Sequence, residues 1–303
     1  MTHIPALFLV GAPKCGTTSM YDYLNQHPKI CMSKPKEPDY FGKDLRKLES
    51  IRQYSSSDDY LQKCFSHCSS GDIIGEASAI YLYSKTAARE IKEFSPNAKI
   101  VIMLRNPVEA CHSLHSQKLF GGTEEVSDFG KALELIDSRL NGGKLPKYTN
   151  IVETFDYIGM YKYYEQVKRY IDVFDKESVH IILFDDLKSD VKSVYLDLLD
   201  FLGVNDHFLP DFKPKNTSKS NKSRWINYHL EHPTILSKII RLLLPKRLIS
   251  KIGKYLRSLN VKHEKRSVMK ESTRKFLCEE YYDDIKKLEP LIQRDLSFWL
   301  REG

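Results

Sequence analysis

Residues 11–24 read GAPKCGTTSMYDYL, directly after the apolar run ALFLV at 6–10. A short apolar run, a turn carrying Gly11 and Gly16, and a helix-permitting stretch predict a strand, a tight loop and a helix from about Thr17. Such a loop offers unpaired backbone N–H groups and the positive end of a helix dipole, and both favour an anion. Thr17 and Thr18 add hydroxyl donors. The two glycines have the spacing of a triphosphate-binding loop, but Thr17 stands where that loop has its lysine. Lys14, inside the turn, is the lysine at hand. A nucleoside triphosphatase also needs a carboxylate to hold Mg²⁺. The strand KIVIMLR (99–105) ends instead in Arg105, and Asp185 and Asp186 come late and read more simply as acids opening a helix. The loop predicts a phosphate site whose chemistry does not depend on Mg²⁺.

Working outward, strand-like runs alternate with helical patterns. DIIGEA (72–77) precedes a helix over about Ser84–Phe94, and KIVIMLR precedes one over Pro107–Leu119, with another near Ser127–Leu140. GMYKYYEQVKRYIDVF (159–174) has helical spacing, SVHIILF (178–184) reads as a buried strand, and SDVKSVYLDLLDFLG (189–203) as an amphipathic helix closed by Gly203. This alternation predicts a parallel sheet with helices on both faces, which takes ligands at the carboxyl ends of its strands. Beyond Gly203 come a basic loop (210–225), two cationic amphipathic helices broken at Pro245 (235–259), and a helix with Ser272 as N-cap and Leu277, Tyr281, Ile285 and Leu288 on one face. The expected organisation is one domain over 1–303, with an α/β core over 1–210 and a helical basic elaboration over 211–303.

The chain has 303 residues, 41% hydrophobic and 29% charged, the composition expected of an ordinary soluble protein rather than a disordered one. Six cysteines are too sparse for a disulfide scaffold and read as cytoplasmic thiols. Cys64, His67 and Cys68 cluster in CFSHCSS, but one such cluster supplies too few ligands for a closed zinc site, and no metal is expected. Charge is uneven. Between Phe212 and Lys262 stand 13 Lys/Arg and one acid, Glu231, within a chain of net charge +7. Seven of these bases lie between Lys238 and Arg257 among Ile and Leu, a pattern fitting a lid with a solvated charged face or a peripheral membrane contact through 235–258. Nucleic acid is not expected, because Tyr255 is the lone aromatic among those bases.

A second motif joins the first. RNPVEACHS (105–113) puts Arg105 at a strand end, Pro107 in the first turn of the next helix, and Ser113 within that helix. An arginine fork and a serine hydroxyl suit a second phosphate. Two phosphate sites describe a nucleotide phosphorylated at two separate places.

PKCGTTSMYDYL (13–24) and RNPVEACHS resemble the 5′-phosphosulfate loop and the 3′-phosphate motif of sulfotransferases that use 3′-phosphoadenosine 5′-phosphosulfate (PAPS). KPKEPDYF (34–41) and GEASAIYLYS (75–84) resemble segments of the heparan-sulfate-type and related bacterial carbohydrate enzymes. IILFDDL (181–187) and LLDFLGV (198–204) match the second half of that fold. The resemblance implies a P-loop-type fold and metal-independent, in-line transfer of a sulfuryl group to a hydroxyl or amine of a carbohydrate or glycoconjugate. A lipid, sterol or other small alcohol is the alternative acceptor, and a P-loop kinase the alternative of another class. It implies that Lys14, Cys15, Gly16, Thr17, Thr18, Ser19, Arg105 and Ser113 bind the cofactor. Lys219, Lys222 and Arg224 resemble a loop that closes over it. Lys14 would neutralise the departing phosphate and Glu37 would be the general base, with Glu76 its rival. Lys36, Glu76, Ser78 and Tyr81 would line the acceptor side. His112 and His115 read as helix-surface or packing residues of the 3′-phosphate helix. The expected location is cytoplasmic, with a possible station at the inner membrane surface.

Overall fold

A computed structural model of the chain describes residues 4–48, 54–146, 149–204, 208–213, 220–221, 261–262 and 268–301. Its centre is a five-stranded, all-parallel sheet in the order β2-β3-β1-β4-β5. The strands are β1 (Leu7–Gly11), β2 (Ile30–Met32), β3 (Ile73–Ala77), β4 (Lys99–Leu104) and β5 (Val179–Leu183). Every residue of β1 is buried, and the chain there is apolar without alternation, as a parallel strand covered on both faces requires. β1 registers Leu7 with Gly75 of β3 and with Lys99 of β4, so it sits at the middle of the sheet.

The flanking helices are α1 (Thr17–Gln26), α2 (Ser57–Phe65), α3 (Ala87–Phe94), α4 (Pro107–Gly121), α5 (Phe129–Glu134), α6 (Ile136–Leu140), α7 (Tyr163–Phe174), α8 (Phe184–Ser189), α9 (Val191–Leu202) and α10 (Glu271–Ile292). α4 starts as its sequence demands. Asn106 Oδ1 accepts from the N–H of Val108 at 3.0 Å, and Pro107 occupies the first turn. α9 ends at Gly203, φ 73°, the left-handed closure that glycine reaches without strain. α10 buries Leu277, Tyr281, Ile285 and Leu288, one residue per turn, as read from the sequence.

Several boundaries differ from expectation. α10 is preceded by Lys270 rather than Ser272, which lies inside its first turn. The stretch expected as one helix near 127–140 is two short helices meeting at Leu135. Two cysteines are not free thiols: Cys31 of β2 is bonded to Cys68, just beyond α2. That bond uses two of the three side chains gathered at Cys31, His67 and Cys68. Cys64 is buried, its sulfur 3.2 Å from the Tyr54 hydroxyl. The cationic stretch 235–258 lies outside the described residues. Among the described residues, no helix is long and apolar enough to cross a membrane.

Candidate active site

Because the strands run parallel, the chain leaves β1, β2, β3 and β4 along one edge of the sheet, and four loops meet there. The loop after β1 carries the first motif. A Cβ on Gly11 would lie 2.6 Å from Cβ of Leu82 and 2.7 Å from the Ala79 carbonyl, so only glycine lets the loop leave the strand there. Lys14 (φ 65°) and Gly16 (φ 94°) then take left-handed conformations that turn the chain into α1. Ser19 and Met20 donate their N–H groups to the Gly16 carbonyl. Among the described residues, the N–H groups of Gly16, Thr17 and Thr18 meet no protein acceptor, and no side chain caps α1. Three unpaired donors at a helix start suit a phosphate. Cys15 faces the other way. It is wholly buried, 3.6 Å from the Tyr163 hydroxyl, and burial pushes its thiol up to about 12. Its N–H is given to the Ala12 carbonyl at 3.3 Å, within the turn itself.

The second motif folds onto the first. Arg105, leaving β4, lays its guanidinium 4.8 Å above the ring of Phe184, and its Nη1 donates to the Lys14 carbonyl at 3.3 Å. Tyr163 donates to the Arg105 carbonyl at 3.0 Å and Tyr161 to the Pro13 carbonyl at 3.2 Å, so α7 and the turn before it brace both loops. Ser113 is buried on α4. His112 and His115 pack on Phe129, each 5.0 Å from its ring, as packing residues do.

The loop after β2 carries Lys36 and Glu37. Ser33 donates its N–H to the Gly75 carbonyl and Glu37 to the Ala77 carbonyl at 2.9 Å, which lays the segment along β3. Glu37 is in the left-handed region (φ 58°), and Lys36 Nζ forms an ion pair with its carboxylate. Glu76, Ser78 and Tyr81, expected to line the acceptor side, are buried beneath this turn. Tyr60 and Ser78 donate to the Glu76 carboxylate at 2.5 and 2.6 Å, and burial pushes that carboxyl above its ordinary value. Ser78 Oγ then accepts the N–H of Asp39 at 3.1 Å, and the Tyr81 hydroxyl accepts that of Phe41 at 3.1 Å. These three residues hold the Glu37 turn from below. Lys47, which the sequence did not single out, holds it from the other side: its Nζ donates to the carbonyls of Asp39 and Phe41, each at 2.6 Å. Lys219, Lys222 and Arg224 lie outside the described residues.

One further group was missed. Glu124, after α4, accepts from Arg139 Nη1 and Nη2 at 2.7 and 2.9 Å and from the Tyr157 hydroxyl at 2.8 Å. Burial raises the Glu124 carboxyl, but the bonds from Arg139, the Val126 N–H and Tyr157 together outweigh it and the group sits below its ordinary value. Beside it Lys118 Nζ lies 3.6 Å from the centre of the Phe155 ring, and burial pushes its ammonium down to about 7. The polar stretch after α4 is thus anchored by a buried network.

A five-stranded parallel α/β sheet with a strand–loop–helix anion cradle, an arginine braced against that cradle and a carboxylate turn alongside places the chain in the P-loop-like class of folds. The sulfotransferase domain model matches residues 5–276, and the chain belongs to that family. A crystal structure of a sulfotransferase from Alicyclobacillus acidocaldarius is 28% identical and superposes with a TM-score of 0.72, covering 98% of this chain and 99% of that one. Membrane-associated sulfotransferase kil1 of Dictyostelium discoideum is 24% identical over 304 residues, covering 74% of this chain and 63% of the relative. Human carbohydrate sulfotransferase 15 is 28% identical over 251 residues, covering 66% of this chain and 44% of the relative. The chain therefore spans only part of the length of these curated relatives.

Proposed function

We propose that this sulfotransferase takes its sulfuryl group from PAPS and delivers it to a hydroxyl or amine of a carbohydrate or glycoconjugate. The observation that carries the reading is the Arg105–Lys14 contact, which joins the two phosphate motifs in one site. The N–H groups of Gly16, Thr17 and Thr18, with the hydroxyls of Thr17, Thr18 and Ser19, would hold the 5′-phosphate, and Arg105 with Ser113 the 3′-phosphate. The unpaired donors of the loop fit such a group. PAPS supplies an activated sulfuryl group on a phosphate leaving group. Lys14 would stabilise charge on that phosphate, and Glu37 would take the acceptor proton as the acceptor oxygen or nitrogen attacks sulfur in line. The glycan acceptor is supported by the named carbohydrate relative. The single-domain organisation over 1–303 and a cytoplasmic location belong to the same proposal.

Calorimetry with adenosine 3′,5′-bisphosphate and with Mg·ATP tests the donor. Tight binding of the bisphosphate in the absence of magnesium is expected. Binding of ATP alone would favour a kinase and overturn the reading. A PAPS-dependent transfer screen over glycans, glycolipids, sterols and phenols identifies the acceptor, and turnover on lipids or sterols alone would overturn the glycan assignment.

A further inference from the structure

Glu37 and Asp39 stand two residues apart around Pro38, both with left-handed backbone (φ 58° and 55°). The turn that carries them is tied down on both sides. Ala77 O and Ser78 Oγ take the N–H groups of Glu37 and Asp39, and Lys47 Nζ takes the carbonyls of Asp39 and Phe41. The backbone of Asp39 is therefore fully employed in holding the turn. Its carboxyl is not: among the described residues, none donates a hydrogen bond to it.

The two carboxyls have different surroundings. The Glu37 side chain is 48% exposed and carries the Lys36 ammonium on its carboxylate. Asp39 is half-buried. The charged groups facing it are Glu37 on its own turn, Glu76 at the end of β3, Lys36, and Lys47, whose ammonium is committed to carbonyl oxygens. Three carboxyls against two ammonium groups leave one acid without a counter-charge. Burial, then Glu37, then Glu76 push the Asp39 carboxyl up to about 7, against the opposing pull of Lys47 and Lys36. Neighbouring carboxyls in environments this different take different acid–base tasks.

We propose that Asp39 is a second acid–base group of this site, receiving from Glu37 the proton that the acceptor gives up and passing it to water. The inference rests on the reading of Glu37 as general base. As the acceptor O–S bond forms, the acceptor O–H proton goes to the Glu37 carboxylate, and the electron pair of the breaking bridge leaves with the nucleotide phosphate. The proton then crosses to the Asp39 carboxylate and exchanges with solvent, returning Glu37 to its anionic form for the next turnover.

The experiment is a carboxyl-carbon NMR titration of the full-length protein labelled with ¹³C-aspartate, with no acceptor present. One aspartate resonance should titrate near pH 7. It should vanish in Asp39→Asn and move to lower pH in Glu37→Gln by roughly one unit, the size of a near like-charge effect. Asp284, which burial pushes up to about 6, titrates in a neighbouring range and should be unmoved by either change. Adenosine 3′,5′-bisphosphate should bind Asp39→Asn within about twofold of wild type. No aspartate titrating above pH 6.5, a near-7 resonance that survives Asp39→Asn, or one that ignores Glu37→Gln would each overturn the proposal. If Asp39→Asn folds poorly, the Glu37→Gln shift decides alone. Failure of the wild type to bind the bisphosphate would instead remove the donor reading, and the two failures are separately visible. Once an acceptor is in hand, Asp39→Asn should move the acidic limb of the pH–rate profile, which a merely structural residue would leave in place.

Discussion

Replacing Arg105 by alanine should remove most of the discrimination by the 3′-phosphate. The guanidinium is already oriented, 4.8 Å above Phe184 and donating through Nη1 to the Lys14 carbonyl at 3.3 Å, so little side-chain entropy remains to be lost on binding. Two charge-assisted bonds to one phosphate at about 1.5–3 kcal/mol each amount to roughly 3–6 kcal/mol, or about 10²–10⁴ in affinity. The assay is a calorimetric cycle with two ligands, adenosine 3′,5′-bisphosphate and adenosine 5′-monophosphate, on wild type and Arg105→Ala. Wild type should prefer the bisphosphate by a factor in that range, and the variant, left with Ser113, should keep only a small part of that preference. Arg105→Lys keeps the charge but loses the fork and much of the ring contact, so its preference should fall between. Because the monophosphate lacks only the 3′ group, general damage to the site would lower both affinities and leave their ratio intact. A ratio preserved within about threefold in a folded Arg105→Ala protein would refute the assignment of Arg105 to the 3′-phosphate.

Glu37→Gln should bind the bisphosphate as wild type does and lose at least about 10²-fold in transfer rate, measured as PAPS turnover with any acceptor found in the screen. Asp39→Asn should stabilise the fold at high pH. The native carboxyl holds its proton up to about 7, against about 3.9 for an aspartate in an unfolded chain, so wild-type stability falls as pH rises through that window. The gain in urea unfolding should be absent below pH 4 and reach up to about 4 kcal/mol above pH 7, an upper bound that solvent screening reduces. Glu124→Gln strands the Arg139 guanidinium, with side-chain exposures of 0% and 5% for the pair, and should cost about 3–5 kcal/mol in the same assay. Opening the Cys31–Cys68 bond, by reduction or by Cys31→Ser with Cys68→Ser, frees a loop of 37 residues' separation and should cost about 4 kcal/mol by chain entropy. A loss below about 1 kcal/mol would mean that the loop stays ordered in the unfolded chain.

The sequence disclosed the features whose causes are local. The β1 loop announces itself because Gly11 and Gly16 are where left-handed backbone and close approach are required, and the α10 stripe because Leu277, Tyr281, Ile285 and Leu288 repeat at the helical period. What it concealed is set by neighbours remote in sequence. β2 is three residues long, too short for any period to show, and its pairing with β3 is what makes it a strand. The expected helix near 127–140 contains no breaker at Leu135; its second piece is tied back by the Arg139–Glu124 bonds. α10 starts one residue before Ser272, after Lys270, whose ammonium reaches Asp128, 142 residues away in sequence.

The candidate site divides along the same line. KPKEPDYF marks a turn bearing acids, but composition cannot say which residue spends its backbone there and which its side chain. Glu76, Ser78 and Tyr81 look from their residue types like groups waiting for a substrate. In the fold their polar atoms are consumed in carrying the turn above them. Asp39 looks like a turn former, and its N–H and carbonyl do form the turn, which leaves its carboxyl as the acid in that turn with no assigned partner. A side chain becomes available for chemistry when the fold needs its backbone but not its head group. That criterion separates Asp39 from Glu76, although both are carboxyls in one cluster, and it predicts that loss of Glu76 appears first as lost stability of the turn and loss of Asp39 first as a changed pH profile.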